Sequence, residues 1–162
     1  MKLPPFIAAG AVLLALLAGC GGGDRPADGS SMEAYGKWAD AVNDKLPPDL
    51  VPIFKEAQQE IRLNIMGDDQ LKVQGDDQIN PIFLQRVNGQ TPRQIMVMGE
   101  NDRIARLTGF CDEAKRLIKN NSKLDTDQAR NAVEQEQEAL DHTQAALVTT
   151  RAELEKASAP AQ

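Results

Sequence analysis

Apolar residues recur at spacings of three and four along most of the chain, the signature of helices that bury one face. Tyr35, Trp38, Val42 and Leu46 make the first stripe, and Pro47-Pro48 stops it. Ahead of it, Ser30-Ser31-Met32-Glu33 fits a capping box, with Ser30 and Glu33 each covering a free backbone N–H. Asp49 stands where a cap for a second helix belongs, and Pro52 falls in the first turn, where proline is tolerated. Leu50, Ile53, Phe54, Ala57, Ile61 and Ile65 give that helix a wide apolar face, which ends at Gly67. So few residues separate Leu46 from Leu50 that the two helices are expected to form an antiparallel hairpin.

Ile79, Ile82, Phe83 and Val87 predict a short third helix, closed by Asn88-Gly89 as a left-handed C-terminal cap. Thr91-Pro92-Arg93-Gln94 then combines a threonine N-cap, proline at the first helical position and glutamine where a capping box needs it. Ile95, Met98, Ile104, Leu107, Cys111, Ala114, Leu117 and Ile118 carry this helix on. Gly99 and Gly109 weaken it, and a kink or break is expected at Gly99. Asn120-Asn121-Ser122 reads as a turn, and Asp125 or Asp127 as the cap of a last helix running to about Ala157.

That last helix has a heptad: Val133, Leu140, Leu147 and Leu154, with Ala132, Ala139 and Ala146 beside them. Glu136, Thr143 and Thr150 occupy the complementary positions and keep the stripe narrow. At ~1.5 Å per residue the helix is roughly 45 Å long. It is expected either to lie along the bundle or to project and pair with another chain. The fold class is therefore all-α: a small bundle, built from a helical hairpin plus further helices, with a long C-terminal helix. Residues 31–121 make the helical domain, and residues 122–162 the long helix and a short tail.

The N-terminal stretch follows a different pattern. Lys2 gives a short basic start, and residues 6–18 are uninterrupted apolar and small residues, the layout of a secretory signal. A membrane span needs about 20 apolar residues. Pro4-Pro5 on one side and Gly21-Gly22-Gly23-Asp24 on the other leave this run too short. Directly after it stands Leu17-Ala18-Gly19-Cys20, which resembles the lipobox of bacterial lipoproteins.

The resemblance implies that residues 1–19 are a signal peptide and that Cys20 is the lipid attachment site and first mature residue. Its sulfur would carry a diacylglyceryl group, and in many species the new amino group is acylated. One acyl chain binds a membrane only marginally, whereas two or more hold stably. Gly21 after the cysteine, rather than aspartate, implies sorting to the outer membrane of a Gram-negative bacterium, on the periplasmic side. Residues 20–30 then form the lipidated cysteine and a flexible tether, rich in Gly and without periodicity. The segment Val87-Asn88-Gly89-Gln90-Thr91-Pro92-Arg93-Gln94-Ile95 looks like one in small Gram-negative lipoproteins, where an Asn-Gly-x-Thr turn starts a later helix. That likeness spans residues 30–118, and it implies an uncharacterised helical domain and no activity.

Charge narrows the partners. The chain carries a formal net charge of −6, and loss of Lys2 with the signal makes it −7. No basic patch is available for nucleic acid, and no polybasic segment assists binding to anionic lipid. With Cys20 lipidated, Cys111 is a lone thiol; its place beside Phe110 on an apolar face reads as a buried, inert packing residue. His142, the single histidine, sits beside Asp141 off the stripe and reads as a surface residue. Glu134, Glu136 and Glu138 read as a solvated face, and Tyr35 and Trp38 as core.

The repeat Gly67-Asp68-Asp69-Gln70 and Gly75-Asp76-Asp77-Gln78 gathers four carboxylates, but lacks the Asp-x-Asp-x-Asp-Gly run and closing glutamate of an EF-hand. It reads as a solvated loop. No nucleophile–base pair, phosphate loop, His-Glu-x-x-His or Cys-x-x-Cys is present. The sequence therefore points to no catalytic residue, cofactor or metal. It points to a lipid-anchored envelope protein that binds or scaffolds through helical surfaces. The membrane would be met through the acyl chains on Cys20, and a protein partner, or a weak homodimer, through the C-terminal helix. Murein lipoprotein is the nearest helical analogy, although Ala159-Pro160-Ala161-Gln162 supplies no C-terminal lysine for wall attachment. The alternative is a small-ligand or lipid carrier, with a pocket lined by Trp38, Phe54 and Phe83.

Overall fold

The computed structural model describes residues 25–68, 71 and 75–159. Its helices are α1 (Met32–Asn43), α2 (Val51–Gly67), α3 (Asp76–Val87), α4 (Pro92–Asn121) and α5 (Asp127–Ser158), and no strand occurs among the described residues. The all-α bundle with a long C-terminal helix is thus the observed fold. Cys20 and the rest of residues 1–24 lie outside the described residues.

Helices α1 and α2 form the expected antiparallel hairpin, matched turn by turn through their side chains. Arg62 reaches Met32, the Tyr35 hydroxyl donates to Gln58 Oε1 at 3.0 Å, and Trp38 stacks edge-on against Phe54 at 5.8 Å between ring centroids. Phe83 of α3 closes on Tyr35 at 5.1 Å with the rings nearly perpendicular, the arrangement aromatic quadrupoles favour. Ile53, Ile61, Ile65, Ile79, Val87, Ile95 and Met96 complete the main core. Trp38, Phe54 and Phe83 therefore fill the interior against one another and Tyr35, rather than lining a space between helices.

The chain ahead of α1 is tied down. Ala27 donates its N–H to the Gln90 carbonyl at 2.8 Å, and accepts from the Gly89 N–H at 3.0 Å. Gly29 N–H donates to Asn88 Oδ1, and the Trp38 indole donates to the Arg25 carbonyl. The flexible tether expected through residue 30 consequently ends earlier, and residues 25–29 are a strap across the α3–α4 turn. Its partners are the backbone groups left free where Asn88-Gly89 turns, with Gly89 at φ 75° as the left-handed cap requires.

Local capping departs from expectation by a residue in three places. The N-cap of α1 is Ser31, which accepts from Ala34 N, while Ser30 stays outside and Glu33 pairs with Lys37 instead of closing a box. Asp49 does not cap α2; Leu50 takes that position without a side-chain bond, and Asp49 faces Lys156 at 3.9 Å. The cap of α5 is Thr126, between the two aspartates expected to serve, and Asp125 and Asp127 both pair with Arg130. Helix α1 also ends at Asn43, so Leu46 joins the core edge from the following turn. The Thr91–Gln94 box is as expected, with both reciprocal bonds formed.

Gly99 does not break α4. The helix is continuous from Pro92 to Asn121, and a Cβ at Gly99 would overlap the backbone and side chain of Ala57. The glycine is a contact surface, letting α2 cross α4 with their backbones close. Along the same stretch the buried methionine is Met96, and Met98 is only partly covered.

Helix α5 lies antiparallel along α4. Arg103 meets Glu153 near one end, and Leu140 packs with Cys111 and Ala114 near the other. The heptad stripe is covered by this neighbour: Leu140 is buried and Val133, Leu147 and Leu154 are half-buried. Thr150 at a complementary position is fully buried, its hydroxyl returned to the Ala146 carbonyl at 2.9 Å. At its C-terminal end α5 places Ala157 in the main core. Beyond Arg106, Cys111, Ala114, Ile118, Leu140 and Leu147 form a second, separate cluster. The remaining length of α4 there is about 20 Å at ~1.5 Å per residue.

Candidate functional site

The densest chemistry in the described structure lies where α2, α4 and α5 meet. Helix α2 brings Glu56 and Glu60, α4 brings Glu100, Arg103 and Arg106, and α5 brings Glu153. The close crossing at Gly99 and Ala57 sets these side chains within reach of one another. Arg106 forks onto Glu60, Nε to Oε2 at 3.0 Å and Nη2 to Oε1 at 2.5 Å, the bidentate geometry that makes arginine–carboxylate pairs strong. Arg103 Nη1 is shared: Glu56 at 3.0 Å, Glu153 at 3.1 Å, and Glu100 only at 3.9 Å.

Glu100 is the exception in this network. It is 0% exposed, and neither carboxylate oxygen has a hydrogen-bond partner. Burial pushes its carboxyl up to about 7, with the negative charge of Glu153 adding to the effect; Arg103 opposes it, and Glu56 and Glu60 reinforce it. Burial makes the charged form of Glu100 costly, and the neighbouring carboxylates outnumber the two guanidinium groups that could offset it. One helical turn away from Arg106, Asp102 is also raised, mainly by burial and against the pull of Arg86 at 3.8 Å. Arg86 itself donates to Asn64, which ties α3 to α2 at the same level.

The cluster can hold a proton near neutrality. Glu100 is sealed, so no substrate reaches it, and no serine, cysteine or histidine stands in the cluster as a nucleophile or base. Among the described residues no group of three or more His, Cys, Asp or Glu is arranged to hold a metal ion. In the acidic repeat, Asp76 and Asp77 sit in the first turn of α3, where negative charge suits the helix dipole. Asp69 and residues 72–74 lie outside the described residues.

Sequence reasoning missed Glu100, and the signal for it was present. Met96, Glu100, Arg103, Leu107, Cys111 and Ala114 follow one another at helical spacings of four, three, four, four and three. An acid and a base occupying two positions of an otherwise apolar stripe mark a buried pair. The other single residues fall as expected: Cys111 is a buried free thiol in the second cluster, and His142 is 80% exposed, 3.8 Å from Glu138. Tyr35 is core, its hydroxyl pushed up by burial.

One open groove of about 810 Å³ lies between the strap and α1, with Arg25, Ser31, Lys37, Trp38 and Lys45 along it. It mixes charges of both signs, Asp28 and Glu33 among them, and its wall is solvent-facing. Phe110, Leu124 and Val148, on the outer part of the α4–α5 pair, are large apolar side chains left more than half exposed. Among the described residues no helix is long and apolar enough to cross a membrane. No protein-family model, no curated protein and no solved structure matches this chain.

Proposed function

We propose that the chain is a lipid-anchored protein of the bacterial cell envelope, held by acyl chains on Cys20, and that it acts by binding a protein partner. The outer membrane, facing the periplasm, is the location this reading assigns. Leu17-Ala18-Gly19-Cys20 supports the anchor. The observation that carries the binding role is the α4–α5 pair: it runs on past the main core, and Phe110, Leu124 and Val148 lie exposed along it. Because the heptad stripe of α5 is covered by α4, contact with another molecule falls to those outward residues and not to Leu140 or Leu147.

Two measurements test the two halves separately. Cys20→Ser in the full-length chain should abolish the thioether lipid, seen by mass spectrometry of the membrane fraction; an unmodified mature chain in the wild type would remove the anchor. A photo-crosslinking residue at Phe110 or Val148, in cells making the lipidated protein, should give a discrete adduct that the same residue at Glu134 does not. Equal labelling at all three positions would remove the binding role.

A further inference from the structure

We infer that the C-terminal half of α5 is a pH-sensitive latch on the bundle, closed while Glu100 is protonated and loosened when Glu100 ionises. The inference is independent of the lipid anchor. It begins from geometry: Glu100 is wholly enclosed, both its oxygens lack partners, and α5 brings Glu153 to the Arg103 beside it. From α5 the charged group facing it is Glu153; from α2 they are Glu56 and Glu60; on α4 itself, Arg103 lies 3.9 Å away and Arg106 is engaged by Glu60. Lys156 on α5 is turned outward to Asp49 and leaves the negative charge of the cluster in place.

With Glu100 neutral, Arg103 bridges Glu56 and Glu153 and so joins α2 to α5 through α4. With Glu100 ionised, a third carboxylate competes for the same guanidinium, and a buried charge gains no hydrogen bond in return. The proton leaves to solvent and the strain is relieved where the packing is least deep. Helices α2 and α4 are locked by the Gly99–Ala57 approach and by the main core. Helix α5 contributes only Thr150 and Ala157 as fully buried residues in this half. It is the element that yields.

The direction follows from proton linkage. The carboxyl binds its proton more tightly in the closed state (about 7) than in an exposed one (4.5), so closure weakens as pH rises between those values and levels off above them. Between pH 6 and pH 8 the opening equilibrium should increase about tenfold.

Hydrogen exchange on the full-length chain in detergent reads this directly. Protection of residues 150–157 is taken relative to residues 35–42 of α1, which cancels the intrinsic pH dependence of exchange. Wild type should lose about tenfold of that ratio from pH 6 to pH 8. Glu100→Gln, which cannot ionise, should hold it constant. Glu153→Gln removes a repelling charge and should shift the loss to lower pH with a smaller amplitude. A ratio that is flat in wild type, or that falls equally in Glu100→Gln, would overturn the latch. If Glu100→Gln fails to fold, the Glu153→Gln shift decides alone, and an unshifted profile overturns it.

Discussion

The two apolar clusters of this protein are built by the same helical period and differ sharply in depth. In the main core four helices converge, with the strap and the end of α5 closing it, and Phe54, Ile61, Ile65, Val87 and Ile95 are 0% exposed. In the outer part of α4–α5 only two helices meet; Cys111, Ala114 and Leu140 are buried there and Ile118 and Leu147 only in part. A stripe at spacings of three and four says that a helix has a neighbour. How far its side chains leave water depends on how many neighbours meet them, and two helices can cover only a narrow seam. The contrast separates a region that fixes the fold from one that can change without unmaking it.

The sharpest way to break the contrast is at the deep end. Phe54→Ala should cost ~3–5 kcal/mol, the usual loss for a fully enclosed phenylalanine, and lower the urea midpoint of the whole chain. Trp38, which stacks on Phe54, reports it by fluorescence. A loss near 1 kcal/mol would mean the core collapses into the space more readily than its ring contacts imply.

At the shallow end, Leu140→Asp combined with Leu147→Asp should abolish the second cluster and spare the first. Exchange protection should fall across the outer halves of α4 and α5, while Trp38 fluorescence keeps its native spectrum. Complete unfolding would show that the two clusters are one cooperative unit.

The smallest effect tests the edge of the deep end, at the start of α4. Thr91→Ala removes a cap at the root of α4 and should cost ~1 kcal/mol, read as a shift in the urea midpoint. An unchanged midpoint would show that Pro92 and the Gln94 contact to the Thr91 N–H hold the helix start without the hydroxyl.

Most of the helix pattern was legible because burial and period agree. Tyr35, Trp38, Phe54, Ile61 and Phe83 announce the core, and Thr91-Pro92 and Asn88-Gly89 announce boundaries, since each carries its own local mechanism. Single caps were harder: Ser30 and Ser31, or Asp125, Thr126 and Asp127, offer adjacent acceptors, and the path of the incoming chain selects among them. Gly99 misled because propensity describes an isolated helix, whereas here the missing Cβ serves a neighbour 42 residues away in sequence. The buried cluster was hidden for a related reason. Glu100 and Arg103 share the stripe of Met96 and Leu107, which marks them as buried, but their partners Glu56 and Glu153 arrive from other helices and cannot be read along the chain. The heptad of α5 was read correctly as a stripe, but its occupant, α4 of the same chain, depends on a topology the period does not contain.

The strap at residues 25–29 has a mechanical consequence. Ala27 is bonded to Gly89 and Gln90, the residues immediately before the Thr91 cap of α4. Tension applied to the N-terminus therefore passes across two backbone hydrogen bonds directly into the root of α4. Helices α1, α2 and α3 lie in the covalent loop that those bonds close, and the Trp38 indole bond to the Arg25 carbonyl ties α1 to the same strap. When the Ala27 bonds part, the force falls on the Trp38–Arg25 bond and on the α1–α2 side-chain ladder. The pair of bonds at Ala27, itself a core residue, acts as a fuse: it sets how hard the chain can be pulled before the strap parts from the root of α4.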